Sequence, residues 1–148
     1  MAVVLAYPIK MEKVLKQFEV RQLKEPTEKQ LDSDIEWVCN SLGFITKRDQ
    51  DKTAYEILKA LTKSAKQSRG LTSEELSKLV EPTIGSVIYH LKKLMKAGLV
   101  VKIDSAYELR MNSLLTTIEE IEKEINTALI NIKNIAKDID DKIGLEHR

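Results

Sequence analysis

Much of what enzymes and secreted proteins rely on is scarce in this chain. Cysteine occurs once, as Cys39. One thiol excludes an intramolecular disulfide and suits a reducing compartment, and with no second cysteine or nearby histidine Cys39 makes no metal site. The expected role for it is that of a small buried hydrophobe. The two histidines, His90 and His147, stand far apart, the second in a terminal segment expected to fray. The five glycines form no phosphate-binding loop, and no serine sits in a nucleophile elbow. The carboxylates are spread over helix faces. No catalytic constellation results, so neither enzyme activity, nor a cofactor, nor a metal is expected. Long apolar runs are also missing. Met1–Ile9 is apolar, but it has no basic n-region and is too short to span a bilayer. A soluble cytoplasmic protein with no membrane partner is expected.

What is present is globular in character, with 43% hydrophobic and 32% charged residues. A chain of 148 residues suits one domain plus appendages. Isoleucine, lysine and glutamate are abundant and aromatics few, a bias compatible with a thermophilic source. The net charge of +1 hides an uneven distribution. Residues 1–45 hold 6 basic and 7 acidic side chains, residues 46–111 hold 13 and 8, and residues 112–148 hold 5 and 8. Positive charge therefore collects in the middle segment, as phosphate contact requires.

That middle segment contains the stretch around which the chain is organised, Leu71–Arg110. Thr72 with Glu75 three residues on is a capping-box start for a short helix ending near Val80. Glu81-Pro82 breaks it, since proline disfavours the helical region for its predecessor. A second helix is expected over Thr83–Ala97, stopped by Gly98. Leu99–Ile103 and Ala106–Leu109, joined by Asp104-Ser105, read as a hairpin. Helix, turn, longer helix and two-stranded ribbon is the order of a winged helix-turn-helix. Ser86-Val87-Ile88-Tyr89-His90-Leu91-Lys92-Lys93-Leu94, followed by Ala97-Gly98-Leu99-Val100, resembles the recognition helix and wing of ArsR- and MarR-type regulators. The resemblance covers about Lys52–Arg110. It implies a DNA-binding transcription regulator, and the Cys-rich motif of ArsR metal sensors is missing.

Upstream, Ala2–Tyr7 is a short apolar run ended by Pro8. Met11, Val14, Leu15 and Phe18 recur at helical spacing, so Lys10–Leu23 is expected to be an amphipathic helix, interrupted at Glu25-Pro26. Thr27 with Gln30 and Ser33 with Glu36 are two capping-box patterns, either of which could open a helix ending at Leu42-Gly43. Its apolar stripe is Leu31, Ile35, Val38 and Leu42. After the polar link Lys47–Lys52, Thr53–Ser68 is expected as the first helix of the winged domain, with Ala54, Ile57, Leu58, Leu61 and Ala65 on one face. Residues 66–70 form a basic loop.

Downstream, Ser113 caps a final helix. Leu114, Ile118, Ile121, Ile125, Ala128, Ile132, Ile135 and Ile139 alternate in steps of four and three, a heptad repeat. At about 1.5 Å per residue this helix spans roughly 40 Å, more than so small a domain can cover. Self-association along all eight positions is expected. Glu122 and Glu124 have no basic g/e partners in the segment, so an antiparallel pair, or packing on the partner's N-terminal helices, fits better than a parallel zipper. The fold class expected is mainly α with a small β-hairpin wing. Its parts are an N-terminal helical extension (1–45), a winged helix-turn-helix (46–111) and a coiled-coil-like dimerisation helix (112–148).

On the Thr83–Ala97 helix, Val87, Leu91 and Leu94 share the expected core face, with Ile84 and Ile88 close by. Thr83, Gly85, Ser86, Tyr89, His90 and Lys93 are expected on the outer face. Helix-turn-helix proteins read bases with the start of the second helix, which makes Ser86, Tyr89 and His90 the base-reading candidates. Gly85 would let the backbone come close, and Lys93, Lys102 and Arg110 would meet phosphates. The uncharged wing tip argues against deep minor-groove insertion. The partner expected is double-stranded DNA, read by a homodimer; no effector is identifiable. The alternative is a winged-helix protein-interaction module of the transcription apparatus, since fold does not decide function.

Overall fold

The structure is a computed structural model that describes residues 19–27, 30–44, 52–80 and 83–146. Ala2–Tyr7, the first part of the helix expected over Lys10–Leu23, the link Lys47–Asp51, Glu81-Pro82 and His147 lie outside the described residues. The described end of that expected helix, residues 19–23, is not helical. It lies along the next helix instead: the Arg21 N–H donates to Ser41 O at 2.7 Å, and Trp37 Nε1 donates to Lys24 O at 2.7 Å.

Helix α1 (Leu31–Ser41) starts at Gln30 without a side-chain cap, so neither expected capping box opens it. Asp32 and Asp34 in its first turn face the positive end of the helix dipole instead. Ile35 and Cys39, one turn apart, are buried, whereas Leu31 is exposed. Helix α2 (Thr53–Ala65) buries Ala54, Ile57, Leu58 and Leu61, as the spacing predicts. It ends one turn earlier than expected, in a turn where Ser68 takes φ 51.

Strand β1 (Leu71–Thr72) is short and was not anticipated. Its approach depends on Gly70, where a Cβ would sit 2.9 Å from the Ala106 Cβ. Helix α3 (Ser73–Val80) opens with the expected reciprocal cap: the Glu75 N–H donates to Thr72 Oγ1 at 3.1 Å, and the Thr72 N–H donates to Glu75 Oε1 at 3.2 Å. Helix α4 (Ile84–Lys96) follows, with Ala97 as its C-cap and Gly98 at φ 82. Strands β2 (Val100–Ile103) and β3 (Ala106–Leu109) form the hairpin around Asp104-Ser105, where Asp104 takes φ 57. The sheet is antiparallel in the order β1-β3-β2, with Leu71 opposite Tyr107 and Val100 opposite Leu109. This is a winged helix-turn-helix.

One core serves all these elements. Leu58 and Leu61 of α2, Leu76 of α3, Val87, Leu91 and Leu94 of α4, and Leu99 are fully buried. Ile35, Cys39 and Phe44 of the α1 region join the same cluster. Burial and the Glu36 carboxylate push the Cys39 thiol from 9.0 up to about 12. The thiolate is the reactive species, so native protein at pH 8 should resist iodoacetamide and label only as it unfolds. The pKa is raised by folding, so the thiol's contribution to stability is intact below pH 9 and is lost as pH rises toward 12. Rapid stoichiometric labelling of the native protein would contradict this burial.

Helix α5 (Leu114–Ile143) is capped by Ser113 and Thr116 and ends at Gly144, φ 88. Its first turns belong to the chain's own domain. Ile121 is buried in the core, and Leu114, Ile118 and Ile125 pack against it. Thr117 is fully buried; its Oγ1 accepts from the Met111 N–H at 3.1 Å and donates to Ser113 O at 2.7 Å. The expected continuous seam is therefore divided. Its first half is occupied within the chain, and beyond Ala128 the same stripe opens to solvent.

Candidate nucleic-acid interface

The outer surface of α4 is set by which residues the core takes. Val87, Leu91 and Leu94 are buried as expected, but His90 joins them at 4% exposure. The reason lies in the helical period. His90 is three residues after Val87 and four before Leu94, and so lies on the same arc. Its ring meets that of Tyr89 edge-on, with centroids 5.1 Å apart. His90 is thus not available to a base edge as expected; it supports Tyr89 from below. Ile84 departs in the opposite sense. Placed near the core face by its spacing, it stands 45% exposed in the first turn, ahead of the region that the sheet and α2 cover.

Thr83 caps the helix, its Oγ1 accepting from the Ser86 N–H at 3.2 Å. Gly85 and Tyr89 are exposed and Ser86 half-buried. Lys93 Nζ lies 5.5 Å from the Tyr89 ring centroid, within reach of a cation–π contact. Two further lysines on this surface, Lys92 and Lys96, are exposed and were overlooked in the sequence. The signal was there: Gly85, Tyr89, Lys92 and Lys96 recur in steps of four, three and four, the row opposite Val87, Leu91 and Leu94. In the wing, Lys102 is exposed, its Nζ 5.6 Å from the Tyr107 ring centroid. Lys92, Lys93, Lys96 and Lys102 have no carboxylate partner among the described residues.

Arg110 does not share this availability. Its guanidinium pairs with Glu124 of α5, and both side chains are largely covered, at 23% and 14% exposure. The expectation of an Arg110–phosphate contact is corrected accordingly. Glu124 finds its basic partner where the wing ends.

Residues 51–102 match the family model described as bacterial regulatory protein, arsR family. That stretch is similar to the helix-turn-helix of this family. The match runs from just before α2 into β2, leaving α1 and α5 outside it. No curated protein and no solved structure matches the chain. The match supports a DNA-binding transcription regulator of the winged-helix type. No helix among the described residues is long and apolar enough to cross a membrane.

Proposed function

We propose that the protein is a sequence-specific regulator that binds duplex DNA as a homodimer, with α4 in the major groove. Thr83, Gly85, Ser86 and Tyr89 face the bases, while Lys92, Lys93, Lys96 and Lys102 meet the flanking phosphates. Two copies of α4 about 34 Å apart would read a palindrome one helical turn per half-site. The partner copy would lie on the open part of α5, around Ala128, Ile132, Ile135 and Ile139.

Gly85 carries this reading. Its backbone does not take positive φ, and a Cβ there would meet nothing closer than Thr83 Oγ1 at 4.0 Å. The fold has no use for a glycine at this position, and glycine within a helix costs up to about 1 kcal/mol relative to alanine. Its benefit lies outside the chain, where a bare backbone admits a duplex closely. Gly85→Ala should therefore raise the melting temperature by a few degrees and weaken operator binding by about tenfold, the factor that 1.4 kcal/mol represents. Calorimetry and anisotropy titration on one preparation check both signs. Loss of stability, or unchanged affinity, would remove Gly85 from the interface.

Phosphate and base contacts separate by their salt dependence. Lys92→Ala or Lys93→Ala should weaken binding on every sequence and lower the salt slope by about one unit per monomer. Ser86→Ala should instead cost about 1–3 kcal/mol on the preferred site and little on scrambled DNA. The experiment that tests the function as a whole is selection of bound sites from random duplexes. A palindromic consensus is expected. Enrichment of nothing would favour the protein-interaction module.

A further inference from the structure

The first half of α4 is unusual in what it offers a base edge. From Thr83 to His90 the residues are Thr, Ile, Gly, Ser, Val, Ile, Tyr and His. No arginine or lysine is there to bridge the O6 and N7 of guanine, and no asparagine or glutamine to bridge the N6 and N7 of adenine. The histidine is buried. Hydrogen-bonding chemistry is thus confined to single hydroxyls on Thr83, Ser86 and Tyr89. Beside Gly85, which brings the backbone close, stands an aliphatic side chain that the core leaves 45% exposed, Ile84. The fold covers only part of this large apolar side chain and leaves the rest in water at the start of the helix. The major groove offers one apolar feature that would cover it, the 5-methyl group of thymine. The lysines on the same helix, Lys92, Lys93 and Lys96, favour a polyanion over an apolar protein surface as the occupant.

We infer that Ile84 is a specificity-determining residue that recognises the 5-methyl group of thymine in each operator half-site. The inference rests on the DNA-binding reading above and names the base that it selects. Gly85 removes the neighbouring side chain that would hold the helix off the base. The Tyr89 ring, braced between His90 and Lys93, lies further along the same exposed surface. The site is built for a methyl group and a few single hydrogen bonds, so an A·T-containing half-site follows.

Replacement of thymine by deoxyuridine removes only the methyl group. Starting from the selected operator, each thymine is replaced in turn, and the duplexes are titrated with wild type and with Ile84→Ala. Wild type should bind about fourfold more weakly when the contacted thymine of one half-site is replaced, and about fifteenfold when both are, as expected for a buried methyl-sized group. Ile84→Ala should bind thymine and uracil duplexes equally. Discrimination retained by Ile84→Ala, or wild type indifferent to uracil at every position of a specifically bound operator, would overturn the assignment and leave the DNA reading standing. A wild type that selects no operator would overturn both. The uracil comparison with wild type does not depend on how any variant folds.

Discussion

Arg110→Met should lower the stability of the protein by about 2–3 kcal/mol, seen as a fall of roughly 10 °C or more in melting temperature. The pair that Arg110 makes with Glu124 is mostly covered by protein. Removing the guanidinium leaves a carboxylate whose desolvation is no longer offset, and breaking a buried pair from one side costs more than the pair contributes. The residual exposure of 23% and 14% puts the effect at the low end for buried pairs. Arg110→Met combined with Glu124→Leu should restore most of the loss, because two apolar groups of similar volume carry no desolvation cost. At a temperature where Arg110→Met is folded, its salt slope on DNA should equal that of wild type. A reduced slope with unchanged stability would return Arg110 to the phosphate contacts. The pair also bears on geometry. Together with the Met111–Thr117 hydrogen bond at 3.1 Å, it fixes the start of α5 to the end of the wing. Any partner held by α5 is thereby held at a set angle to α4.

The helix-turn-helix was legible because its signals are local. Thr72 with Glu75, Gly98 and the Asp104-Ser105 turn each announce an element boundary through hydrogen bonds or φ angles decided within a few residues. What escaped depends on contacts distant in sequence. Strand β1 exists because β3, some thirty-five residues on, offers a free edge at Ala106 and Tyr107. The Arg110–Glu124 pair crosses from wing to helix in the same way. Two capping patterns near α1 did not become caps: the helix opens at Gln30 with no side-chain bond, and the strap through Arg21 and Lys24 meets it at Ser41 and Trp37. In the candidate interface, periodicity accounts for His90 and not for Ile84. Polarity puts His90 outside, but it lies on the arc through Val87, Leu91 and Leu94 and is buried. Spacing puts Ile84 near the same arc, but it stands in the first turn of α4 and is 45% exposed.

The largest effect on function should come from α5 beyond the domain. Ile132, Ile135 and Ile139 are 62%, 59% and 50% exposed, one above another on a single stripe. The stripe continues the row whose earlier members, Ile121 and Ile125, are already engaged within the chain. Three isoleucines half or more in water on one helix face carry the hydration cost of that exposed area, and a second copy of the face would remove it. Ile132→Asp with Ile135→Asp should convert the proposed homodimer to a monomer in sedimentation at tens of micromolar. The winged domain should keep its melting transition, because neither side chain touches the core. Affinity for a palindromic operator should fall by 10²-fold or more, since the second half-site is then no longer delivered at the effective concentration of a linked module. Affinity for an isolated half-site should be unchanged. Ile121→Asp is the contrasting variant: that side chain is 5% exposed, so the charge would destabilise the domain itself before any question of assembly arises. Wild-type protein sedimenting as a monomer at the same concentration would remove α5 as the dimer contact. Equal binding of palindrome and half-site by wild type would show that the two recognition helices do not act together.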